Sequence, residues 1–118
     1  MNPLPSGTNL DFFIGQTLQQ VCLGANEVIL RFSDYLSLTI ESDFVIQDDH
    51  GLRTSFEDAR GAAGALARLI SEIVGSVSAD DEGTLKICFK RGDVLEVMDT
   101  WEMYESYVIQ HHDKFYVV

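Results

Sequence analysis

From Thr17 onward, apolar and polar residues alternate in short runs, and each run is cut by a cluster of turn-forming residues. Alternation of period two puts successive side chains on opposite faces of a strand, so such a chain builds half-buried antiparallel sheet. TLQQVCL (17–23) ends at Gly24-Ala25-Asn26, and EVILRF (27–32) ends at Ser33-Asp34. YLSLTI (35–40) follows, with Leu36, Leu38 and Ile40 on one face. Glu41-Ser42-Asp43 breaks it before FVIQ (44–47), and Asp48-Asp49-His50-Gly51 closes this half.

The middle of the chain changes period. Phe56, Ala59, Ala63, Leu66, Ile70 and Ile73 recur at three and four residues, which predicts one helical face over 54–71. Thr54 with Glu57, or Ser55 with Asp58, fits a capping box at its start. Gly61 and Gly64 each cost a helix about 1 kcal/mol relative to alanine. With Ala62, Ala63, Ala65 and Ala67 they make one side very small, able to lie close on a sheet or against a second copy of the chain.

Strand rhythm then returns. IVGSVSA (73–79), an acidic turn at Asp80-Asp81-Glu82-Gly83, TLKICFK (84–90), Arg91-Gly92-Asp93, VLEVMD (94–99), ESYVIQ (105–110), His111-His112-Asp113 and KFYVV (114–118) follow in order. The two β segments echo one another. VILRF, turn, LSLTI matches LKICF, turn, VLEVM; TLQQV matches IVGSV, and FVIQDD matches YVIQHH. A duplicated unit explains the echo, although hydrophobic meanders also echo one another by chance. The expected fold is α+β, with two antiparallel β-meander units and one main helix packed on a sheet. It forms a single domain over 1–118: a loose tail over 1–9, a first β unit over 10–49, the helix over 54–71 and a second β unit over 72–118.

A chain of 118 residues that is 46% hydrophobic buries enough surface for a core without metal or disulfide support. Its two cysteines, Cys22 and Cys88, lie in strand patterns and read as small buried hydrophobes. The net charge of −11, from 19 acids against 8 bases, disfavours nucleic acid and anionic membrane surfaces, where affinity comes from lysine and arginine. It favours a basic protein partner, and it also simply aids solubility. The N-terminus has no secretory pattern and no apolar run approaches bilayer length, so cytoplasmic is the expected location.

Few residues offer chemistry. There is no G-x-S-x-G, no phosphate loop and no G-x-G-x-x-G, and GAAGA (61–65) falls inside the helical pattern. Asp48-Asp49 and Asp80-Asp81 sit beside glycines, as solvated turns do. His50, His111 and His112 fall in turns, and neighbouring histidines on a strand point to opposite faces; a metal site would need two of these turns to meet. No catalytic, cofactor or metal residue is therefore assigned, and an enzyme is not expected. The segment DTWEMYESY (99–107) differs, because it interleaves Trp101 and Tyr104 with carboxylates. Its rings either cap one end of the core or anchor a partner. As an interface it assigns Asp99, Trp101, Glu102, Tyr104 and Glu105 to partner contacts, with the carboxylates facing lysine and arginine.

L-x-I-x-F-x-x-G-D-x-L-x-V (85–97), Y-E-S-Y-x-I (104–109), the terminal Y-V-V and G-x-x-L-x-x-V (15–21) together resemble an uncharacterised family of small acidic bacterial α+β domains. In size and acidity the chain is also similar in type to immunity proteins of bacterial toxin systems. The resembled family carries no agreed activity; the charge, the acidic-aromatic segment and the likeness of type lead to the expectation of a non-catalytic protein-binding domain, of an immunity or inhibitor kind that neutralises a basic toxin. A structural or regulatory homodimer and a small-ligand or metal-binding domain are the alternatives.

Overall fold

A computed structural model of the protein describes residues 4–5, 7–99 and 105–118. After a 3-10 turn at Asp11–Phe13 come β1 (Leu18–Leu23), β2 (Val28–Phe32), β3 (Leu36–Ile40), β4 (Phe44–Gln47) and β5 (Arg53–Phe56). A short helix, α1 (Ala63–Ala67), precedes β6 (Val74–Ala79), β7 (Leu85–Phe89), β8 (Val94–Val97), β9 (Tyr107–His111) and β10 (Lys114–Val117). The strands form two five-stranded antiparallel sheets, ordered β1-β2-β3-β9-β10 and β6-β7-β8-β4-β5. Leu30, Leu38 and Ile109 of the first sheet and Ile46, Ile87 and Leu95 of the second enter one hydrophobic cluster.

This corrects the expected α+β class. The protein is mostly β, and the anticipated helix over 54–71 shrinks to Ala63–Ala67. Arg53–Phe56 instead pairs with β4, from Gln47↔Arg53 to Phe44↔Phe56. The turn explains the choice: Asp48 Oδ1 accepts from the amides of His50 and Leu52, both at 2.9 Å, and Gly51 takes φ +89°. A hairpin is thereby closed before any helix can start. Downstream, Asp58 Oδ1 accepts from the Gly61 amide at 2.9 Å, and Ser71 at φ 77° ends the segment. The two glycines and the short span leave too little for a longer helix. The buried face shifts accordingly: Ala62, Leu66 and Leu69 are buried, whereas Ile70 and Ile73 are exposed.

The two β units do not form separate sheets. Each gives three strands to one sheet and sends a two-stranded hairpin across to the other. The correspondence reaches the irregularities: β1 slips register against β2 between Leu18 and Gln20, and β6 slips against β7 between Val74 and Ser76. Gln19 and Gly75 are the extra residues of two bulges at matching places. Where the halves meet they pair with each other. Gly15 N–H donates to Val74 O and Val74 N–H to Gln16 O, both at 2.9 Å, around a Thr17↔Ile73 bridge.

Candidate functional site

Of the residues assigned to partner contacts, Trp101, Glu102 and Tyr104 lie outside the described residues. Asp99 and Glu105 flank them. Asp99 is engaged within the protein: Ser106 Oγ–H donates to its Oδ1 at 2.6 Å, and Gly83 packs against its side chain. A Cβ on Gly83 would stand 2.7 Å from Asp99 Oδ2, so only glycine fits, and φ of +91° asks for glycine as well. Buried Tyr107 donates its hydroxyl to Gly83 O at 2.8 Å. Burial, then the charges of Asp99 and Asp80, push that phenol above its ordinary range. Glu105 is exposed and lies near Glu41, whose carboxyl is pushed up by burial and by the charges of Glu105 and Glu27.

The outer faces of the two sheets differ. Antiparallel register aligns Cys22, Ile29, Thr39, Val108 and Val117 across the first sheet. The matching row of the second sheet is Ser78, Lys86, Glu96, Val45 and Ser55. The first row is apolar but for Thr39; the second centres on Glu96, which accepts from Arg53 at 2.9 Å beside Lys86. Both cysteines are half-buried on these outer faces as free thiols, not in the core. Beyond the apolar row, Gln20, Arg31, Ser37 and Gln110 floor a shallow concavity of about 700 Å³ with His112 at its wall. Phe115, 62% exposed, and Val117, 46% exposed, stand along the edge strand β10, and Tyr35 is 82% exposed at the far turn.

At that end two turns meet. In the β2–β3 turn Asp34 and Tyr35 both take φ 56°, as a tight primed hairpin turn requires. The His112 amide donates to Tyr35 O at 3.1 Å, joining the β9–β10 turn to it. His111 Nε2 lies 3.3 Å from Asp34 Oδ2, and His112 Nε2 lies 3.4 Å from Asp34 Oδ1. Neighbouring strand residues point to opposite faces, but His112 has φ 55° and its ring turns back beside the first. Phe12 stacks on His111 at 4.5 Å and 8°, and Tyr35 tilts against His112 at 5.5 Å. The hydrogen bond from His111 is the main cause holding the Asp34 carboxyl below its ordinary range. His50 is not part of this group; it lies 3.8 Å from Asp49. At the matching end of the second sheet, Arg91 of the β7–β8 turn reaches Asp93 at 2.6 Å and Glu72, which precedes β6, at 2.9 Å. The Arg-Gly-Asp turn is thus spent on internal pairs.

With these strands and turns placed, the match of a family model across residues 10–118 covers every sheet strand and both converging turns. The chain belongs to DUF6188, a family of unknown function. No curated protein and no solved structure matches the chain. Among the described residues of this DUF6188 member, no helix is long and apolar enough to cross a membrane. What sequence reasoning missed is the approach of Asp34 to the histidines. Ser33-Asp34 and His112-Asp113 read as turns, but the β3–β9 pairing that brings them together is non-local.

Proposed function

We propose that this chain is a non-catalytic protein-binding domain that receives a basic partner on the outer face of the β1-β2-β3-β9-β10 sheet. The observation that carries this reading is the contrast between the outer rows. Two faces on matching backbones differ in that one carries a mostly apolar row, edged by exposed Phe115 and Val117, beside the polar floor of Gln20, Arg31, Ser37 and Gln110, and the other centres on the Arg53–Glu96 ion pair. Exposed aromatic and aliphatic residues around a concavity supply anchor area, and the net charge of −11 selects a partner rich in lysine and arginine.

In its finer form the partner is a toxin, and the domain is a cytoplasmic bacterial inhibitor of the immunity kind. That form rests on charge and on likeness of type. A photoreactive phenylalanine analogue at position 115, or at its second-sheet counterpart 53, tests the reading in the cells that make the protein. Crosslinking from 115 alone, to a protein identified as basic, is the expected result. Equal adducts from both positions, or an adduct only with a second copy of the chain, would overturn it.

A further inference from the structure

We infer that Asp34, His111 and His112 form a binding site for a divalent transition-metal ion, with zinc the natural occupant of a two-imidazole, one-carboxylate set. The donor atoms of the three residues lie within 4.8 Å of one another. Donors of a tetrahedral zinc ion with bonds of about 2.0–2.1 Å stand about 3.3 Å apart. Each imidazole already stands at about that spacing from one oxygen of the carboxylate, His111 at 3.3 Å from Oδ2 and His112 at 3.4 Å from Oδ1. A small rotation of the more exposed His112 ring completes the set, and the exposed side leaves a fourth position for water.

Two further features distinguish the cluster from solvated turn histidines. Of the four non-glycine residues with positive φ among the described residues, three are Asp34, Tyr35 and His112. The primed turn requires this backbone of Asp34 and Tyr35, and with the left-handed His112 it aims the carboxylate and the second ring at one point. His111 is held by the face of Phe12, which itself stacks on Tyr116 at 5.7 Å, so the ring orientation is fixed by packing. Imidazole with carboxylate selects zinc, nickel or copper over magnesium and calcium, which prefer oxygen alone. The site lies at the rim of the concavity on the proposed partner face, where Asp34 and His112 are among the lining residues, but its assignment rests on donor geometry and not on that reading.

The test uses the chelator-treated full chain, titrated with zinc in a calorimeter. One ion per chain is expected, with the imidazole carbon and nitrogen resonances of His111 and His112 shifting together and those of His50 unmoved. Asp34→Asn, His111→Gln and His112→Asn should each weaken binding by at least about tenfold, the range seen when metal-site partners are lost. His112→Asn retains a residue tolerant of left-handed backbone, and circular dichroism of each variant checks that it is folded. Cobalt in place of zinc should give the visible absorption of a tetrahedral site. Absence of heat, a stoichiometry other than one, or equal weakening by His50→Ala would overturn the assignment.

Discussion

The two sheets are built alike and finished differently. Each carries a bulged edge strand, a three-strand meander and a hairpin received from the other half, yet the central outer row of one is mostly apolar and that of the other is charged. The ends diverge too, Asp34 meeting two histidines at one and Arg91 meeting two acids at the other. Backbone geometry is therefore common to both halves, and whatever is specific to this chain resides in the side chains laid on it.

The shared part of that comparison is the easiest to break. Leu38 and Leu95 occupy matching central positions, both fully buried in one cluster. Leu38→Ala and Leu95→Ala should each cost about 2–5 kcal/mol, in a single cooperative urea transition. Two separated transitions would show that the halves do not share a core. Next in size is Gly83→Ala, which forces a side chain into a left-handed position against Asp99 and should cost on the order of 1–3 kcal/mol. At the matching β1–β2 turn, Gly24→Ala meets mainly the flexible Glu27 side chain and should change the urea midpoint far less.

The faces also differ in the sign of their response to acid. The hydrogen bond from the Arg53 guanidinium holds Glu96 below the usual glutamate range, so its contribution is present at neutral pH and lost as pH falls through the depressed folded value. Glu41 is raised by burial, then by the Glu105 and Glu27 charges, so its ionisation opposes folding above the raised value and that opposition fades on acidification. At about pH 7, Glu96→Gln should lower the urea midpoint and Glu41→Gln should raise it. Both differences should vanish by about pH 2, where the parent carboxyls are protonated.

How much of this was legible in the sequence follows from where the information lies. Leu36, Leu38 and Ile40, or Leu85, Ile87 and Phe89, alternate cleanly and declare their strands. Arg53–Phe56 does not, because three of its four residues are exposed and the helical spacing of Phe56, Ala59 and Ala63 competes. Its pairing is set by the Asp48 turn, which outweighs the periodicity. The echo of the halves was readable, but the crossing of β4-β5 and β9-β10 between sheets was not, since strand partners distant in sequence leave no local mark. The acids interleaved with aromatics mark Asp99 as a contact candidate, whereas its bond to buried Ser106 is tertiary and leaves no local mark. His111 and His112 were dismissed by the strand rule, which the left-handed His112 evades.

The functional difference between the faces can be tested by exchanging them at one rung. Ile29 opposes Thr39 in the first sheet where Lys86 opposes Glu96 in the second. Ile29→Lys with Thr39→Glu puts the second sheet's charged rung on the first sheet, and Lys86→Ile with Glu96→Thr does the reverse. The measurement is the dissociation constant of each double variant for the partner crosslinked at position 115. The account predicts at least about a tenfold weakening, roughly 1.4 kcal/mol, for the first variant and an unchanged affinity for the second. Unchanged binding by a folded first variant, or loss of binding by the second, would contradict it.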